Sequence, residues 1–111
     1  MILLEFIKEN GEVVEGIIHN YEMSNDGWYY EPEELPDSWI ETMIIELEDG
    51  YNLDEGNIIT VDSEFIDYHP KCGVFNVIGK FKLTVVGKRK EYYYLEGVDK
   101  FDSQRLDGAT S

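Results

Sequence analysis

Residues 74–86, VFNVIGKFKLTVV, place Phe75, Val77, Phe81, Leu83 and Val85 on one face and Asn76, Lys80, Lys82 and Thr84 on the other. A repeat of two is the period of an extended strand, so this segment commits the chain to a sheet with a buried face. Gly79 interrupts the large side chains of that face, a usual way for a long strand to bend around a small core. The same period returns at residues 42–48, where Met43, Ile45 and Leu47 alternate with Thr42, Glu46 and Glu48.

Other segments extend the pattern. Residues 3–7 and 13–21 flank Asn10-Gly11, a hairpin signal, and Gly16 predicts a bulge or bend in the return strand. Asp49-Gly50 closes the 42–48 strand, and shorter strand pieces are expected at 51–53 and 57–61, on either side of Asp54-Glu55-Gly56. Residues 62–73 read as a connection. Residues 91–98 read as a tyrosine-rich partner of the long strand. Residues 102–111 have no pattern and are expected to form a flexible tail. Residues 22–38 contain Gly27, Pro32 and Pro36 and lack periodicity, so they predict a long loop with at most one helical turn; such loops are uncommon without a function.

The segments GEVVEGII at 11–18, IIELEDG at 44–50 and GNII at 56–59 resemble the strand-turn-strand rhythm of SH3-like small barrels, over roughly half the chain. The resemblance implies a fold and no activity. The expected class is mainly β: a small single-domain antiparallel sheet or partly closed SH3-like barrel of six or seven strands over residues 1–101, with one long acidic loop.

The 111 residues suffice for one modest core. With 42% hydrophobic residues the chain is too apolar for a disordered acidic tail, even at a formal charge of −15. Cys72 is the single cysteine, which excludes an internal disulfide and points to a reducing compartment. The opening MILLEFIKENGE lacks the basic start and cleavage site of a signal peptide, and no window reaches the apolar length of a membrane helix. A cytoplasmic location without membrane contact is the expectation.

The charge is strongly polarised. From Glu9 to Pro70 there are 18 Asp or Glu residues and no Lys or Arg, and residues 71–111 carry eight basic residues against five acids.

Reactive motifs are hard to assemble from this chain. Outward carboxylates such as Glu46 and Glu48 do not define a cleft for acid–base catalysis. Residues 49–56 lack the ligand order of a calcium loop. His69 and Cys72 offer half a zinc site, with His19 the only other histidine. No nucleophile elbow or phosphate loop occurs. The expectation is a non-enzyme without metal or cofactor. Lys80, Lys82, Lys88, Arg89 and Lys90 beside Tyr92, Tyr93 and Tyr94 could form a basic aromatic face, but the long acidic stretch would repel a polyanion, so direct nucleic-acid binding is not expected. The cluster reads instead as a solvated hairpin that guards an edge strand.

A large field of one sign speeds association with partners of the other sign. The predicted partner is therefore a basic protein, of the kind that handles nucleic acid, with carboxylates taking the place of phosphates. Phage inhibitors of defence nucleases and immunity proteins against nuclease toxins use this logic. The expected function is a small acidic protein-binding inhibitor, with an SH3-like structural or adaptor module as the alternative. Interfaces favour aromatic anchors inside a polar rim. Trp28, Tyr29, Tyr30 and Trp39 are the predicted anchors, with either tryptophan open to a core role, and Glu31, Glu33, Glu34 and Asp37 form the rim. Glu46, Glu48, Asp54 and Glu55 are candidates for the same surface.

Overall fold

A computed structural model describes residues 2–28, 35–98 and 104–106, the side chains of 2, 3 and 104–106 excepted. Seven strands occur in it: β1 (Ile2–Lys8), β2 (Val13–Asn25), β3 (Ser38–Leu47), β4 (Ile58–His69), β5 (Gly73–Arg89), β6 (Tyr92–Gly97) and β7 (Gln104–Leu106). Their order in one sheet is β4-β1-β2-β3-β6-β5-β7, and β4 also pairs with β5. Every pairing is antiparallel. The six longer strands therefore form a partly closed ring, whose weakest seam is the short β1–β4 ladder of Phe6–Lys8 against Ile59–Val61. No helix occurs among the described residues, and the helix-free antiparallel sheet agrees with the period-two pattern of the sequence.

Alternation fills the ring. Phe6, Val14, Ile45, Ile59, Val61, Phe75, Val77, Phe81, Leu83 and Leu95 all point inward and are buried. Phe65 packs edge-on against Phe81, with centroids 5.2 Å apart, and against Tyr21 at 5.0 Å, adding the favourable quadrupole geometry to area burial. One end of the ring is covered by residues 51–57. There the Leu53 N–H donates to the buried Tyr93 hydroxyl at 3.1 Å, and that hydroxyl donates onward to Asn52 Oδ1.

Several expectations need correction. Residues 62–69 are not a connection but the outer half of β4, running to a tight turn at 70–72. The pattern misleads because Asp67 and His69 point inward with Phe65, while Ile66 and Tyr68 point out. Residues 51–53 are coil rather than strand; Leu53 is buried through the Tyr93 contact. Gly16 marks no bulge: it pairs regularly with Leu4 and Leu47, and the register shifts of β2 fall between Ile18 and Asn20 and between Glu22 and Met23. A Cβ on Gly16 would lie 2.7 Å from the Glu46 carbonyl oxygen, so glycine here permits close backbone approach. Within the expected tail, Gln104–Leu106 pairs with Val77–Gly79. The predicted loop is shorter than 22–38, because β2 runs to Asn25 and β3 starts at Ser38; the residues of its expected helical turn, Leu35 apart, lie outside those described.

The base of that loop is fastened to β4. Asp67 is buried, and its carboxylate accepts from the Ser38 hydroxyl (2.7 Å), the Asn25 amide (3.1 Å) and the Tyr68 backbone N–H (2.8 Å). Asn25 also donates to the Tyr68 carbonyl. Asp67→Ala is expected to destabilise the fold by about 1–3 kcal/mol, because Ser38 and Asn25 lose their acceptor. Denaturant unfolding checks the loss, and faster amide exchange at Asn25 and Ser38 would place it at this latch.

Candidate functional site

The antiparallel register turns scattered acids into a line. Glu5 pairs directly with Glu15. The Phe6–Val61 pair sets Asp62 beside Glu5 on the β4 side. The Gly16–Leu47 pair, with the Glu48 N–H donating to the Glu15 carbonyl at 3.1 Å, sets Glu48 beside Glu15 on the β3 side. All four side chains are exposed, since each follows or precedes an inward residue. With neighbouring strands about 4.8 Å apart, the row Asp62–Glu5–Glu15–Glu48 spans roughly 14 Å. Among the described residues none of the four is in a salt bridge, and the cation nearest in register is Lys80, opposite Asp62.

Like charges side by side have a measurable signature. The Glu48 carboxyl is held above its ordinary pKa of 4.5, chiefly by the charge of Glu15, with smaller effects from lost hydration, a hydrogen bond between the two carboxyls and the charge of Asp49. A carboxyl whose pKa is raised on folding is protonated more in the folded state than in the unfolded one. Its repulsion is relieved in mild acid and appears as pH rises from the ordinary value through the raised one, so this group lowers stability across that window. Glu15→Gln is expected to return the Glu48 pKa toward 4.5 and to flatten that decline, both readable from a carboxyl-carbon NMR titration and melting curves against pH.

A row of four carboxylates at strand spacing, with no close ion pair to them among the described residues, presents charge on the scale of a nucleic-acid strand, one phosphate per roughly 3.4 Å of axis.

No family model, curated protein or solved structure matches this chain.

The described members of the predicted site are not brought together in one place. Trp28 is 67% exposed, and its N–H donates to Asp26 Oδ1. Asp37 is exposed, and its carbonyl accepts the Asp26 N–H. Tyr29, Tyr30, Glu31, Glu33 and Glu34 lie outside the described residues. Trp39 is 8% exposed, outside the main core cluster, with its indole N–H donating to Glu41 at 2.6 Å. Glu48 belongs to the row. Glu46 is half-buried on the same strand and engages His19 at 3.0 Å, whose ring lies edge-on to Tyr92. Asp54 and Glu55 are exposed in the turn that covers the end of the ring, outside the row. Eleven residue steps along β3 separate Asp37 from Glu48, roughly 36 Å of extended chain, so the acid at the base of the loop and the row are far apart.

Glu5, Glu15 and Asp62 are not among the residues expected from the sequence. The first two were findable, because a hairpin centred on Asn10 sets positions 5 and 15 opposite each other. Asp62 was not, since it depends on β1 pairing with a strand some 50 residues away.

The loop end has its own exposed apolar group: Tyr68 and Val74 form a cross-strand pair, each 60% exposed, with Ile66 on the same outer face.

Proposed function

We propose that this chain is a small acidic binding protein that occupies a basic, nucleic-acid-holding surface of a partner protein and so inhibits it, without chemistry of its own. The observation that supports this most is the row Asp62–Glu5–Glu15–Glu48, where repulsion sufficient to raise the pKa of Glu48 persists without an ion pair. Structural surfaces interleave opposite charges on neighbouring strands, because like charges directly opposite one another destabilise a sheet. Keeping four acids in register makes sense where a cationic partner neutralises them.

The test is affinity capture from extracts of the source cells at low salt, comparing the native chain with the neutralised variant Glu5→Gln/Glu15→Gln/Glu48→Gln. The expected result is a basic nucleic-acid-handling protein retained by the first and lost by the second, displaced by double-stranded DNA and weakened as salt rises. Capture of only acidic or uncharged proteins, or capture unaffected by the substitutions, would refute it.

A second reading, an adaptor in a larger assembly, is favoured by the exposed group of Tyr68, Val74 and Ile66, since contiguous exposed apolar side chains mark contact surfaces. It predicts self-association or a co-purifying assembly. A lone monomer in sedimentation at high concentration would count against it.

A further inference from the structure

A second feature lies farther along the outer face of β3, away from the carboxylate row. A groove of about 280 Å³ runs over β2, β3, β6 and the end of β5, floored by Ile44, Tyr94 and Val86 and edged by Glu22, Thr42 and Glu96. Ile44 and Tyr94 are a direct cross-strand pair, and Val86 is 43% exposed. The next row of the sheet is Glu22–Thr42–Glu96, read across β2, β3 and β6. The Thr42 hydroxyl donates to Glu22 at 3.2 Å, which holds one carboxylate over the groove.

We propose that this groove receives one lysine or arginine side chain of the partner, its methylenes along Ile44, Tyr94 and Val86 and its cationic head between Glu22 and Glu96. A short apolar floor with carboxylates only at its edge suits one long side chain. Long basic residues lay an apolar stem along an apolar surface and keep the charge at the rim, and the groove offers those two chemistries in that order. Tyrosine adds a ring face that attracts a cation. The charge at the rim excludes the other occupants. An anion would meet two carboxylates, and an apolar peptide would cover both carboxylates without pairing them, at a desolvation cost. This site deepens the basic-partner reading and rests on it, but it can fail separately.

The probe is the peptide acetyl-Gly-Gly-Arg-Gly-Gly-amide, titrated into the 15N-labelled full chain, with its norleucine counterpart as control. Saturable shifts at Ile44, Val86, Tyr94 and Glu96 with the arginine peptide, and none with norleucine, are expected. Glu22→Gln/Glu96→Gln should weaken that binding about tenfold or more, since two charge-assisted contacts are lost, while the remaining amide signals keep their positions. Equal shifts from the norleucine peptide would overturn the inference, and so would an unchanged affinity in the double variant. Shifts confined to Glu5, Glu15 and Glu48 would overturn the groove yet leave the basic-partner reading standing. That reading falls on the capture experiment alone.

Discussion

Glu5→Lys/Glu15→Lys is expected to slow association with the captured basic partner by 10-fold to about 10³-fold at low ionic strength, the range over which electrostatic steering acts. The two positions face each other in the middle of the row, so reversal converts a run of four negative charges into two negative ends around a positive centre. Stopped-flow association rates measured against salt provide the check. The native rate should fall steeply as salt screens the field, whereas the variant's slope should be shallow or inverted. The fold should survive, because both side chains are exposed and the native arrangement is the repulsive one. A variant that binds at the native rate would show that the row plays no part in recognition.

Phe65→Ala carries the largest expected loss of stability, about 3–5 kcal/mol. Phe65 is fully buried where β4 leaves its short ladder with β1, and its ring touches both Phe81 of β5 and Tyr21 of β2. Beyond the β1–β4 ladder, β4 is tied to β2 by contacts that include Phe65 on Tyr21, the Asn25 amide on Asp67 and the Ile66 N–H on the Tyr21 hydroxyl. Truncating Phe65 leaves a cavity between β2 and β4 and loosens the second contact of the ring. Chemical denaturation should show the loss. Phe65→Leu, which keeps most of the volume, should recover much of it.

These features were unevenly legible in the amino-acid order. The β1–β2 hairpin and the long β5 strand could be read because Asn10-Gly11 fixes a turn and Phe75 to Val85 keep strict alternation. The outer half of β4 could not, because its buried face carries Asp67 and His69. A buried carboxylate is tolerable only with donors from Ser38 and Asn25, which lie 29 and 42 positions away. Polar residues satisfied at long range look local and loop-like until the pairing is known. For the same reason Trp39 read equally well as anchor or core. It stands at the start of β3 between Ser38 and Ile40, which are buried too. Charge polarity along the chain was plain from composition, but its concentration into one row depended on three registers, only one of which is set by a local turn.

The short β1–β4 ladder has a consequence for how the molecule assembles. β1 can zip onto β2 at once, but it meets β4 only after the intervening half of the chain has been placed, and such distant pairings form late. Until then both strands are open edges, able to template pairing with another molecule, a hazard that edge charges blunt. Glu5 on β1 and Asp62 on β4 stand on those two edges. The same carboxylates that would draw in a cationic partner after folding act as gatekeepers before it, keeping two unfinished rings apart long enough for each to close on itself.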